Sequence, residues 1–259
     1  MIVQHNMTAL NANRQLGITN TNLARSTEKL SSGYRVNRAA DDAAGLSISE
    51  KMRGQIRGLE QASTNAEDGQ SLIQTAEGAL SEIHSVLQRM RELTVQASND
   101  TNVSADRKAI AKEVRALTSE INRIATQTQF NTMGLLSGGF KNKKLQVGAN
   151  TNQTISITIS SMTAGKLGVS ATVIAKVISS STGKEITKLI TTVNTAITKV
   201  STQRSALGAL QNRLDHTIAN ADNMAENLQS SESKIRDVDM ADEMVSYSAS
   251  SILQQAGQS

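Results

Sequence analysis

Residues 52–97 read MRGQIRGLEQASTNAEDGQSLIQTAEGALSEIHSVLQRMRELTVQA. Met52, Ile56, Leu59, Ala62, Ala66, Gly69, Ile73, Ala76, Leu80, Ile83, Leu87, Met90, Leu93 and Ala97 follow one another in alternating steps of three and four. That spacing draws one apolar stripe along an α-helix with a single buried face. At ~1.5 Å per residue the helix would run roughly 70 Å. Alanine and glycine at several stripe positions let a partner helix come close.

Two partners lie further along. One starts near Ser104-Ala105-Asp106, a cap followed by an acid in the first turn. It carries Ile110, Val114, Leu117, Ile121 and Ile124 and ends before Phe130-Asn131. The other opens on Thr182-Gly183-Lys184-Glu185, the pattern of a capping box. Its stripe runs from Leu189 through Val193, Ile197, Val200, Arg204, Leu207, Leu210, Leu214, Ile218, Ala221, Ala225, Leu228 and Ser231 to Ile235. Three matching stripes predict a mainly α fold, a long antiparallel bundle or coiled-coil rod. Ile73, Leu80, Leu87, Ile121, Val193, Leu207, Leu214 and Leu228 are expected in its seam.

Composition agrees with a thin seam. The 259 residues include no proline, cysteine or tryptophan, and the aromatics are Tyr34, Phe130, Phe140 and Tyr247. A ring buries on the order of 150–250 Å², so four rings cannot fill a thick core. Without proline, long helices meet no steric stop. Residues 138–181 break the pattern at Gly138-Gly139. Ile155-Ser156-Ile157-Thr158-Ile159 alternates like a half-buried strand, with shorter strand candidates at Leu145–Val147 and Val169–Val173. One or two hairpins are expected there, capping one end of the rod.

The termini are polar and their stripes sparse. Val3, Met7, Leu10, Leu16, Leu23 and Leu30 mark one end, and Met240, Met244, Val245, Ile252 and Leu253 the other. Weak helices without a partner are marginal in water. Both ends are therefore expected to stay loose in the monomer and to order on assembly. The chain divides into 1–42 and 237–259 as the two parts of an inner polymerisation core, 43–137 and 182–236 as rod helices, and 138–181 as the hairpin region.

Chemistry finds no foothold. His5, His84 and His216 are far apart, and no glycine-rich phosphate loop exists. Asp41-Asp42, followed by Ala43-Ala44-Gly45, suits a turn or helix cap, and Asp239-Met240-Ala241-Asp242-Glu243 suits an acidic first turn. No enzyme activity, cofactor or metal is expected. The formal charge of +4 comes from 27 basic and 23 acidic residues spread along the chain. Lys141, Lys143 and Lys144 form the densest basic group, which is too little for a nucleic-acid footprint. No apolar run suits a membrane span, and residues 1–7 are not a secretory signal. Read alone, these features suggest a soluble cytoplasmic protein.

Several segments resemble bacterial flagellins. They are MIVQHNMTALNANRQL (1–16), KLSSGYRVNRAADDAAGLSISEKMRGQIRGL (29–59), SLIQTAEGAL (71–80), LQRMRELTVQASN (87–99), TQFN (128–131), LGALQNRLDHTIAN (207–220), SKIRDVDMADEM (233–244) and ILQQAGQS (252–259). The resemblance implies export unfolded through a type III apparatus without a cleaved leader, and so a secreted filament subunit. It also implies pairing of the terminal helices into an inner coiled coil, and homopolymerisation into a helical filament for motility. An export chaperone and a cap protein are the partners it suggests. Only the short hairpin region stands where larger flagellins carry outer domains, a minimal form. The family normally continues past Gln254-Gln255-Ala256-Gly257 with an apolar, Gln-rich stretch to a Leu-rich end, whereas this sequence stops at Ser259: either the material is truncated or the sequence stops where the ordered part stops. Arg89, Leu93 and Glu113 match the family's contacts with Toll-like receptor 5, which implies receptor binding by the monomer. Alternatives are a hook–filament junction protein with flagellin-like ends, a flagellin bearing an inserted peptidase, and a cytoplasmic coiled-coil adaptor. The 138–181 segment has no histidine for a peptidase metal site.

Overall fold

The computed structural model describes residues 6–180 and 183–258. The chain is mainly helical, with long helices and two small antiparallel strand pairs. It divides into a central unit, Glu60–Asp222, and a terminal unit made of Met1–Leu59 and Asn223–Ser259.

Three long helices build the central unit: α2 (Ala43–Ser98), α3 (Ser104–Gln127) and α6 (Gly183–Arg236). The ends of α2 and α6 also supply the terminal unit. Within the central unit α2 and α6 run antiparallel. Polar pairs on the rim of their seam step in opposite directions: Ser63 with Asp222, Gln70 with Asp215 and Glu77 with Arg204. Between the rims lie fully buried Ile73, Leu80, Leu87, Val193, Leu207 and Leu214. Ile121 of α3 is buried in the same cluster. A core of this kind contributes through many apolar side chains, each worth roughly 1.5–3 kcal/mol when fully buried. Leu228 is placed differently from its stripe neighbours. It is half-buried in the terminal unit, where Ala225, Ser231 and Ile235 are half-buried too.

The cap of α3 needs correcting. Ser104 is its first helical residue and Val103 holds the cap position, where its side chain has no oxygen to offer. Asp106 compensates by accepting the Val103 N–H at 3.2 Å. Thr182, the hydroxyl of the capping box expected for α6, lies outside the described residues.

After α3 comes a hairpin of β1 (Gln129–Phe130) and β2 (Met133–Gly134), then a second of β3 (Lys143–Gln146) and β4 (Thr154–Ile157). In β4, Ile155 and Ile157 are buried and Thr154 and Ser156 exposed, the expected period of two. Residues 169–173 are not a strand. A short helix α4 (Ala164–Leu167) ends at Gly168, and α5 (Ala171–Ser180) follows. Helical spacing wins over β-branched composition because Ile174, Ala175 and Ile178 fall on one face and are buried where α5 packs on α3.

In the terminal unit, α1 (Met7–Ser32) packs along α7 (Met240–Gln258). Asn6 caps α1, its side-chain oxygen accepting the Thr8 and Ala9 N–H groups at 3.2 Å. Gly33 ends it at φ +75°, a left-handed conformation that costs glycine nothing. The two aspartate motifs act as caps. Asp42 accepts the Gly45 N–H at 2.8 Å to start α2, and Asp239 accepts the Ala241 N–H at 2.9 Å to start α7. Asp41 accepts the Arg38 and Asn37 N–H groups, and the Arg38 bond chiefly holds its carboxyl below the usual aspartate range.

Candidate functional site

Among the described residues, the terminal pair carries most of the large apolar side chains that are exposed. Met7 is 73% and Leu10 60% exposed on α1, and Val245 is 70% exposed on α7. Met240, Met244, Ile252 and Leu253 are exposed with them. Leu16 is half-buried, close to the backbone of Gly257. Val3 lies outside the described residues. Ser26 is the buried residue of α1, and α7 has none. Both helices thus pack on each other while leaving apolar side chains in solvent. Exposed apolar surface concentrated on two paired helices marks an interaction surface. Polar ties set their register: Gln254 donates to Asn20 at 2.8 Å, and Lys29 sits 3.6 Å from Glu243.

At the base of the pair stand residues that sequence reasoning did not single out. Arg236 sets its guanidinium 4.7 Å from the Tyr34 ring centroid and donates to Glu50 at 2.7 Å. Some two hundred residues separate Tyr34 from Arg236, and no spacing rule links them. An aromatic in a polar stretch was the only signal.

The second region is on the central unit. Arg89 reaches Glu113 of α3 at 2.9 Å and Glu92 of its own helix at 3.0 Å. The hydrogen bonds that Arg89 donates to Glu92 and then to Glu113 push its pKa up. Both members of the interhelical pair are about half exposed. Leu93 is not with them. It is 2% exposed, because it continues the Ile83, Leu87, Met90 and Ala97 stripe into the seam. In this structure Leu93 holds the seam position that its place in the stripe gives it.

Among the described residues, no group of three or more His, Asp or Glu could hold a metal ion, and no helix is long and apolar enough to cross a membrane. A concavity of about 440 Å³ in the terminal unit is lined by Arg25, Lys29 and Arg35 but also by Glu28, Asp41 and Asp42, so its charges balance.

Residues 3–141 match the bacterial flagellin N-terminal helical region, and residues 190–259 match the bacterial flagellin C-terminal helical region. The chain belongs to the bacterial flagellin family. The flagellin of Halalkalibacterium halodurans is 52% identical over 258 residues, spanning 100% of this chain and 93% of that one. The flagellin of Bacillus subtilis is 47% identical, spanning 100% of this chain and 94% of that one. The crystal structure of Bacillus cereus flagellin superposes with a TM-score of 0.52 at 30% identity, covering 64% of this chain and 94% of that one. Bacillus cereus FlgL, at 14% identity and a TM-score of 0.58, shares the fold alone. Flagellins are structural subunits of the flagellar filament, a structural rather than an enzymatic family. A short flagellin of this kind, with two small hairpins and two short helices between its long ones, is a minimal member.

Proposed function

We propose that this flagellin is secreted and polymerises with copies of itself into the flagellar filament through its paired terminal helices. The carrying observation is the exposed apolar set on α1 and α7: Met7, Leu10, Met240, Met244, Val245, Ile252 and Leu253. Burying it in a polymer removes apolar area from water at roughly 25 cal/mol per Å². Before export the same face needs cover, which suits a chaperone, and growth at the filament tip suits a cap protein. Val3 extends the amino-terminal set by its place in sequence.

Electron microscopy of the purified chain, with and without preformed filament seeds, tests the reading. Long hollow tubes growing from seeds are expected. Deleting residues 1–16 should leave the central unit folded by circular dichroism and abolish growth; filaments from that deletion would overturn the assembly role.

Recognition of the monomer by Toll-like receptor 5 is a second reading. It draws on the resemblance of residues 88–93 to the family's receptor-contact stretch and on the solvent-facing Arg89–Glu113 pair. An Arg at a protein contact is a frequent hot spot. A reporter assay on receptor-bearing cells should lose most of its response with Arg89→Ala or Glu113→Ala. Full response from both would refute this reading.

A further inference from the structure

A groove in the central unit has no part in the function proposed above. It runs between residues 160–167, which follow β4, and the middle of α6, and its volume is about 460 Å³. Lys166 and Lys199 bring a cation from each side, and none of the described residues that line it is an aspartate or glutamate.

Both walls are held in place. Gln203 of α6 accepts the Ser160 N–H and donates to the Thr158 carbonyl, each at 3.3 Å. The Lys199 ammonium donates to the Lys166 carbonyl at 3.3 Å, and Asn122 of α3 accepts the Ala164 N–H at 3.0 Å. A ligand entering here meets a shape already formed, so little ordering entropy opposes it. The floor is apolar: Met162 and Leu167 are buried, with Ala206 beside them.

Hydroxyl groups stand above that floor. Thr195, Thr198 and Thr202 recur in steps of three and four and so share one face of α6. Each donates its proton to the carbonyl four residues back, on Thr191, Asn194 and Thr198, at 2.9, 3.0 and 2.9 Å. Their oxygens therefore offer the groove lone pairs rather than protons. Ser161 on the facing wall is spent in the same way, donating to the Ser137 carbonyl at 3.2 Å.

A row of acceptors beside two cations suits a ligand that has many hydroxyl protons and a negative charge. A simple anion would use the lysines but set its oxygens against the threonine lone pairs. A neutral sugar would use the acceptors and leave both ammonium groups idle. A sugar chain bearing carboxylates uses both. Its hydroxyls donate to the threonine oxygens, its carboxylates accept from Lys166 and Lys199, and the C–H face of a ring covers Met162 and Leu167. From Thr195 to Ala206 the groove follows roughly 17 Å of helix, long enough for a short chain of rings.

We propose that this groove binds an acidic oligosaccharide, one whose charge is carried by uronic-acid carboxylates. The site lies wholly in the central unit, so it stands whether or not the terminal helices drive polymerisation.

The test uses the full chain without seeds, a hyaluronan tetrasaccharide as the acidic probe and chitotetraose as the neutral one. Both probes contain N-acetylglucosamine, and only the first has carboxylates. Titration followed by saturation-transfer NMR should show binding of the hyaluronan fragment and little of chitotetraose. Lys166→Glu and Lys199→Glu should each weaken the hyaluronan fragment by about tenfold, the loss of one charge-assisted contact. Both lysines are exposed, so the thermal melts of these variants should match the parent. Thr198→Val removes an acceptor at constant size and charge and should weaken binding a few-fold, which diffuse attraction to a basic surface would not do. Lys141→Glu/Lys144→Glu alters the densest basic group outside the groove and should leave binding as it was. Absence of hyaluronan binding, equal binding of chitotetraose, or an equal loss from the Lys141/Lys144 variant would overturn the proposal. Parent affinity in Thr198→Val would reduce the groove to a plain anion site and sink the sugar assignment.

Discussion

Arg89 and Glu113 meet across α2 and α3 at 2.9 Å in solvent, while Leu93, one turn beyond Arg89, is sealed in the seam. At about 100° per residue the two lie only about 40° apart round the helix, so Arg89 stands at the edge of the stripe and Leu93 inside it. The pair and the leucine should therefore respond differently to truncation. Arg89→Ala should leave stability little changed, as loss of an exposed pair does. Leu93→Ala should cost about 2–5 kcal/mol by leaving a cavity. Thermal melts by circular dichroism separate the two, and a Leu93→Ala chain melting with wild type would show that Leu93 is not sealed. Any receptor defect of that variant must be measured below its own melting range.

Leu214 and Leu228 share one sequence stripe and have different burial. Leu214 is fully buried in the central unit and lies near the bare backbone of Gly69, whereas Leu228 is half-buried in the terminal unit. Leu214→Asp would strand a carboxylate in the seam and should destabilise by several kcal/mol, roughly the cost of an unpaired buried polar group or more. Leu228→Asp keeps access to water and should cost about 1 kcal/mol. Urea unfolding followed at 222 nm, a helix signal, gives both. Equal losses would mean that the stripe buries evenly along α6.

The contrast shows what the sequence could carry. Periodicity made the long helices and the fold class legible, since alternating steps of three and four fit no other element. The Ile155 to Ile159 alternation located a strand pair for the same reason. What periodicity could not carry was partner choice. Residues 169–173 look β-prone by composition, yet from Ala171 on they belong to α5, which packs on α3. Leu93 sat in the stripe and in a motif at once, and only burial decides between them. The Tyr34–Arg236 contact joins positions with no local pattern, so chain topology alone brings it about.

Glu50 supplies a pH dependence whose sign is fixed. The hydrogen bond from Arg236, followed by the charges of Arg53 and Arg236, holds its carboxyl below the ordinary glutamate range. A carboxylate depressed on folding adds stability above its unfolded value, and that stability is lost as pH falls through the folded value. The terminal pair should therefore loosen in acid below the ordinary glutamate range, before the central unit unfolds. Proteolysis of α1 and α7 over a pH series measures this. Glu50→Gln should flatten the acid limb; an unchanged limb would assign the loosening to other carboxylates.

The β1–β2 hairpin stores strain that a single substitution can release. Its two turn residues, Asn131 and Thr132, have φ of 47° and 63°, and between them they join Phe130 to Met133. Positive φ at both positions is the mirror-image turn that suits strand twist, and asparagine tolerates it well. Threonine does not, because its branched Cβ crowds the backbone there. The cost is on the order of 1–3 kcal/mol. The Thr132 hydroxyl recovers part of it by donating to the Asn131 carbonyl at 2.6 Å. Thr132→Gly loses that bond but removes the crowding, and should raise stability by about 0.5–1 kcal/mol, with a matching rise of a few degrees in Tm. Thr132→Val keeps the branching and loses the hydroxyl, so it should lower stability. A glycine variant no more stable than the valine one would show that the turn is unstrained.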